Sequence, residues 1–221
     1  MEPRISLIKQ PWAWALVAFL AAGVLTMALW TRQMSRYTPI ANAERPRADF
    51  ESFGSVPPFS LTERSGKKIQ ASDLAGKVWI ADFIYTNCTD TCPLQSAEMK
   101  RLQDRFAETP DLRLVSITVD PKRDTPAVLS RYAARYGADS ERWLFLTGAE
   151  KTIRNLAEDG FHLPAEEIAA PAAGSSGTHL HSLRFALVDR GGAIRGYYDA
   201  SEKEALDRLT RDAETLLRRA G

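Results

Sequence analysis

The run Val78-Trp79-Ile80-Ala81-Asp82-Phe83-Ile84-Tyr85 is apolar save for one aspartate, and it constrains the fold more than any other stretch of the soluble chain. Its residues are β-branched or aromatic and do not alternate with polar ones, which suits a strand buried on both faces of a parallel sheet. After Cys92 the period changes. Leu94, Ala97, Leu102 and Phe106 interleave with Glu98, Lys100, Arg101 and Asp104, as on an amphipathic helix, and Pro93 fits its first turn. The turn between strand and helix reads Thr86-Asn87-Cys88-Thr89-Asp90-Thr91-Cys92-Pro93 and holds both cysteines of the chain.

Cys88 and Cys92 therefore straddle a predicted helix N-terminus, where free backbone N–H groups and the helix dipole favour a thiolate. Thiolate is the form that ligates metal and attacks disulfides. Three uses of such a pair remain open at this point: a structural bridge, a redox couple and a metal clamp. A bridge closing so small a loop removes little chain entropy and stabilises little, which favours reactivity. A thiol peroxidase would need a cation beside the reactive sulfur, and residues 85–93 supply none.

Period and punctuation outline the rest of the domain. Phe59-Ser60-Leu61 and Lys68-Ile69-Gln70 flank Ser65-Gly66 as a hairpin, ahead of the cysteine-bearing strand. Leu112 to Val119 predicts a second buried strand, ended by Asp120-Pro121. Thr125-Pro126 opens a helix bearing Val128, Leu129, Tyr132 and Tyr136 at helical spacing, closed by Gly137. Trp143 to Thr147 predicts a short strand and Glu150 to Glu158 a helix. Leu183 to Asp189 and Ile194 to Tyr198 flank Gly191-Gly192, a strong hairpin signal. Leu206, Leu209, Ala213 and Leu216 form the apolar stripe of a terminal helix. Strands alternating with helices, then a closing hairpin and helix, indicate an α/β sandwich.

The N-terminal part has a different character. Trp12 to Trp30 is an uncharged run of 19 residues, and at ~1.5 Å rise per residue a helix of that length crosses a hydrocarbon core of roughly 30 Å. Tryptophans at both ends match the interfacial belt. A cleaved signal peptide competes, with Arg4 and Lys9 as its cationic start, but Ala41-Asn42-Ala43 lies far beyond the apolar run. The expected organisation is a short cytoplasmic segment over residues 1–11, a transmembrane anchor over 12–30, a Pro-containing tether over 31–58 and a folded domain over 59–221. Arg4 and Lys9 before the span are balanced by Arg32 and Arg36 after it, so the short leading and long trailing segments set the expected topology. That expectation is a single-pass protein of a bacterial inner membrane with its soluble domain in the periplasm. The formal net charge of +1, with no basic cluster interleaved with aromatics, gives no reason to expect nucleic acid.

Histidine is scarce: the chain has only His162, His179 and His181. His162 reads as a surface or core filler. His179 and His181 sit two residues apart, and at strand spacing both rings fall on one face. They follow residues 165–177, rich in Ala, Gly and Ser, which read as a mobile loop.

These elements together resemble the Sco/SenC family. The resemblance rests on the Pro57-Pro58-Phe59 hairpin, the strand leading into Tyr85-Thr86-x-Cys88-x-x-x-Cys92-Pro93 and the stretch Ser116-Ile117-Thr118-Val119-Asp120-Pro121-Lys122-Arg123-Asp124-Thr125-Pro126. It continues through Trp143-Leu144-Phe145-Leu146-Thr147-Gly148 to His181-Ser182 before Phe185-Ala186-Leu187-Val188-Asp189. It implies a thioredoxin-like sandwich, a central mixed sheet with flanking helices and an N-terminal β-hairpin, behind one transmembrane helix. It implies a copper metallochaperone whose acceptor is the binuclear copper centre of cytochrome c oxidase subunit II. Other periplasmic copper chaperones and thioredoxin-like reductants are further partners it allows. Carried over by position, Cys88, Cys92 and His181 are the copper ligands, and two thiolates with an imidazole make a soft site suited to Cu(I) and able to accept Cu(II) with a further ligand. Asp120 matches an acidic position near the site, where it would touch a ligand or tune its potential; capping the turn before Pro121 is the competing role.

Two departures qualify the resemblance. Thr89 stands where many relatives have proline, and His179 where an apolar residue is usual. The second keeps open a two-cysteine, two-histidine site that would welcome zinc, ranked below copper. Cys88 and Cys92 could instead cycle between dithiol and disulfide and reduce a partner's cysteines. Ordinary exchange catalysts of this fold carry Cys-x-x-Cys and a proline entering the opposite strand, and both are missing here.

Overall fold

The computed structural model describes residues 19–20, 22–24, 26–28, 50–87, 91–163 and 183–219. The chain divides into two units, Met1–Arg45 and Pro46–Gly221. In the first, residues 19–20, 22–24 and 26–28 are helical and exposed. Among the described residues no helix is long and apolar enough to cross a membrane; most of the expected span, Trp12 to Trp30, lies outside them.

The second unit is built on one mixed sheet of seven strands: β1 (Ser60–Glu63), β2 (Lys68–Gln70), β3 (Val78–Ile84), β4 (Leu112–Thr118), β5 (Trp143–Thr147), β6 (Arg184–Val188) and β7 (Ile194–Asp199). Their order is β2-β1-β5-β4-β3-β6-β7. The middle pairs β3–β4 and β4–β5 are parallel, whereas β1–β2, β1–β5, β3–β6 and β6–β7 are antiparallel. Every residue of β3 is buried, as its unbroken hydrophobicity requires of a central strand covered on both faces.

Among the described residues four α-helices cover the sheet: α1 (Thr91–Arg105), α2 (Pro126–Arg135), α3 (Glu150–Asn155) and α4 (Lys203–Arg218). Strand alternation divides β3 between two cores. Val78, Ile80 and Ile84 join Met99 and Leu102 of α1, Leu129 and Tyr132 of α2, and Leu209 and Leu216 of α4. Trp79, Ala81 and Phe83 face the other way, onto Ile153, Leu156 and Phe161. Local chemistry sets the helix ends: Thr125 caps α2 by accepting from Val128 N–H, with Pro126 following, and Gly137 leaves it at φ 60°, a left-handed conformation that glycine adopts without penalty.

The structure departs from the sequence reading in three places. Leu94 is 45 % exposed, because the inward face of α1 runs through Cys92, Gln95, Ser96, Met99, Leu102 and Gln103. The expected helix Glu150 to Glu158 ends at Asn155 and widens into a π-helical turn, Leu156–Gly160. Residues 50–58, read as the end of the tether, lie along the domain instead: Phe53 N–H donates to Ile194 O and Val56 N–H to Gly192 O, both at 2.9 Å. Phe50 enters the core, and the Arg219 guanidinium lies over its ring at 4.9 Å.

Candidate metal centre

Strand direction gathers the chemistry at one end of the sheet. β3 and β4 run parallel and in register to their last residues, Ile84 opposite Thr118, and Val119 N–H extends the ladder to Ile84 O at 2.8 Å. The cysteine loop leaves β3 there, and Asp120 leaves β4 beside it. β6 is antiparallel to β3, with Ala81 opposite Ala186, so its first residues arrive at the end where β3 finishes. Its first residue, Arg184, comes three positions after His181. Carboxyl ends of parallel strands are where open α/β sheets put their sites.

Helix α1 is tied into this edge. Cys92 lies in its first turn, 2 % exposed, and packs in the core with Tyr85, Leu129 and Tyr132. Gln95, one turn on and also buried, sends its side-chain amide to Arg184 O at 3.5 Å, linking the cysteine-bearing turn to the start of β6. The Tyr132 hydroxyl shares a 2.8 Å hydrogen bond with Ser96 Oγ and donates to Cys92 O at 3.5 Å. Burial pushes that hydroxyl well above the usual tyrosine range, against a smaller opposing pull from the Ser96 hydrogen bond. Tyr132 is therefore a neutral hydrogen-bonding group across physiological pH.

Of the residues singled out from the sequence, Cys92, Asp120 and His162 can be placed. Cys88, His179, His181 and the loop 165–177 lie outside the described residues. Among the described residues no group of three His, Cys, Asp or Glu side chains is disposed to hold a metal. Asp120 forms a turn: its carbonyl accepts from Arg123 N–H and Asp124 N–H at 3.1 and 2.9 Å, and its half-buried carboxylate pairs with Arg123 Nη1 at 3.2 Å. His162 is exposed, at φ 51°, next to Gly54, whose missing side chain makes room for the imidazole: a Cβ there would meet His162 Nε2 at 2.8 Å.

Asp124 was not among the candidates. Its carboxylate, 1 % exposed, accepts from Thr86 N–H at 3.0 Å, from Thr86 Oγ1 and from Thr118 Oγ1. In sequence it reads as another polar residue of a turn ahead of Thr125-Pro126, and its three partners come from two other segments. Asp82 was visible as the one charge in β3. It is completely buried on the face that α1 covers, and neither carboxylate oxygen has a normal hydrogen bond. Ser116, its neighbour across β4, accepts the indole N–H of Trp143 at 2.9 Å. Burial raises the Asp82 carboxyl to about 7, against a smaller opposing pull from Ser116.

A mixed sheet with helices on both faces, and a cysteine-bearing turn between a central strand and the first long helix, defines a thioredoxin-like domain with a thiol site at the strand ends. The chain belongs to the SCO1/SenC family, whose model matches residues 48–218. It is 34 % identical over 162 residues to the SCO1 protein homolog of Bacillus subtilis, covering 72 % of this chain and 81 % of that one. The solved structure of BsSco, a member of the Sco family of cytochrome c oxidase assembly proteins in which a disulfide switch is identified, superposes with a TM-score of 0.68 at 31 % identity, over 78 % of this chain and 99 % of that one. Bradyrhizobium japonicum ScoI, solved with copper bound, superposes with a TM-score of 0.55 at 28 % identity, over 71 % and 98 %.

Proposed function

We propose that this chain is a copper metallochaperone of cytochrome c oxidase assembly, with Cys88, Cys92 and His181 as the ligands of its copper cargo. The observation that carries this reading is the convergence of three chain segments at one sheet edge: the exit of β3, the first turn of α1 with Cys92, and the start of β6, to whose Arg184 O the Gln95 amide bonds. Two cysteines spaced i and i+4 supply soft donors, and an imidazole from a third segment completes a set suited to Cu(I) and Cu(II). Copper bound in the B. japonicum relative supports the same cargo here.

Anchoring by residues 12–30 in a bacterial inner membrane would hold the domain at the periplasmic face, where subunit II of the oxidase presents its binuclear copper centre. His179 and Asp120 stand as additional donors of lower rank, and Asp120 is already engaged with Arg123.

Thiol–disulfide exchange is the second reading, favoured by the disulfide switch of BsSco. One thiolate of the pair attacks an acceptor disulfide and forms a mixed disulfide; the other displaces the acceptor's second thiolate. The acceptor gains two electrons and becomes a dithiol, Cys88–Cys92 becomes a disulfide, and a thioredoxin-like reductant restores it.

Anaerobic copper titration of the protein and its His181→Ala variant tests the assignment. Loss of His181 should weaken Cu(II) binding by at least ten-fold and change the thiolate-to-copper absorption. Unaltered affinity and spectrum would remove His181 from the site and leave the exchange reading ahead.

A further inference from the structure

The cysteine loop is held by a carboxylate on a different segment. Asp124 lies in the turn between β4 and α2, 1 % exposed, and among the described residues no cation pairs with it. Three donors compensate its burial. Thr86 supplies its backbone N–H at 3.0 Å to Oδ2 and its hydroxyl at 2.5 Å to Oδ1, and Thr118 supplies its hydroxyl at 2.5 Å to Oδ2. The Thr118 hydroxyl oxygen in turn accepts Asp120 N–H at 3.0 Å, and Asp124's own N–H donates to Asp120 O at 2.9 Å. One buried carboxylate thus joins the residue two before Cys88, the end of β4 and the Asp120 turn.

A buried carboxylate accepting charge-assisted hydrogen bonds resists displacement, because any lost donor leaves desolvated charge uncompensated. The ladder of β3 ends at Ile84, so past it the backbone of the cysteine loop needs another partner for its direction. Thr86 gives it one: both its amide and its hydroxyl are spent on the same side chain, which fixes the peptide plane as well as the side-chain rotamer.

We infer that Asp124 is a positioning residue of the cysteine loop, fixing from the β4–α2 turn the direction in which the chain leaves β3 at Thr86, two residues before Cys88. This deepens the copper-site reading and rests on it for the metal readout, while the effect on the cysteine pair itself needs no metal. The carboxylate acts through Thr86 and does not touch the cargo.

The test uses the full chain in detergent, as wild type, Thr86→Val, Thr86→Ser and Asp124→Asn, with Ile153→Val on the opposite face of the sheet as a control for simple loss of stability. Thr86→Val matches threonine in shape and leaves the backbone N–H donor in place, removing one of the three hydrogen bonds to Asp124, whereas Asp124→Asn alters all three. Two quantities are read: the reduction potential of the Cys88/Cys92 pair in a dithiothreitol redox buffer, and the affinity and thiolate-to-copper absorption with Cu(II). Thr86→Val should change the dithiol/disulfide equilibrium constant at least three-fold, weaken Cu(II) binding at least five-fold and shift the absorption. Thr86→Ser should restore wild-type values, and Ile153→Val should change neither. A potential, affinity and spectrum in Thr86→Val equal to those of wild type, whatever its melting temperature, would overturn the assignment. Should wild type itself bind no Cu(II), the metal reading fails, and the potential alone decides for or against Asp124.

Discussion

Replacing Asp82 by asparagine should flatten the dependence of stability on pH between about 4 and 7. The carboxyl is held at about 7 in the folded chain against an ordinary 3.8, a difference of roughly three units, and each unit is about 1.36 kcal/mol. Burial disfavours the charged form, so across this window the folded state holds a proton that the unfolded state has released. Stability is therefore greatest below the unfolded value and falls as pH rises, levelling off above about 7 after a loss of about 4 kcal/mol. Such a loss is a large fraction of a domain's stability. Asparagine carries no charge at any of these pH values. Its unbonded amide costs about 1–3 kcal/mol in such a site, but that cost is the same throughout and offsets the curve without tilting it. Urea unfolding followed by circular dichroism from pH 4 to pH 8 gives the two curves. Subtracting them cancels every group they share, and the variant should gain on wild type by about 4 kcal/mol across the range. Parallel curves would refute the reasoning, since they would mean that Asp82 ionises in the folded chain as easily as in the unfolded one.

Two further predictions concern the frame that holds the site. Leu209→Ala, at a fully buried position of α4, should cost about 2–5 kcal/mol in urea unfolding. The half-buried Leu206, one turn of the same helix away, should cost less than half as much; equal costs would mean that α4 does not seat through Leu209. Asp189→Ala removes a carboxylate that accepts Gly191 N–H and Ala193 N–H, both at 2.9 Å, and Arg195 Nε at 2.6 Å. A loss of about 1–3 kcal/mol is expected, with faster amide exchange over residues 189–195, and unchanged exchange there would show the β6–β7 turn to be held by its glycines alone.

The fold was legible wherever one physical demand dominated a segment. The unbroken apolar run of β3 could be satisfied only by a central strand, Gly191-Gly192 only by a tight turn, and Thr125-Pro126 by a helix start, and each stands where the pattern indicated. The π-helical turn after Asn155 was not legible, because its residues keep a helical period while the chain widens to set Leu156, Ala157 and Phe161 against β3. Leu94 misled for a related reason: hydrophobicity alone does not say which face of an amphipathic helix meets the sheet, and polar Gln95, Ser96 and Gln103 are buried there by virtue of their partners. Residues 50–58 carry no strand period, and what fixes them to the domain is backbone hydrogen bonding to Gly192 and Ile194 together with the burial of Phe50 in the core.

By itself the sequence determined that two thiols stand at a strand-to-helix turn, in an α/β domain of the type the SCO1/SenC family defines, since spacing and hydrophobic period are local properties that a chain declares along its length. Only the tertiary structure decided that the exit of β3, the first turn of α1 and the start of β6 share one edge, because that depends on β6 running antiparallel to β3. The burial of Asp82 and the partners of Asp124 were decided there too. A carboxylate's charge is written in the chain, but whether it is stranded in a core or held by three donors depends on segments far away in sequence, brought together only by the packing of the sheet.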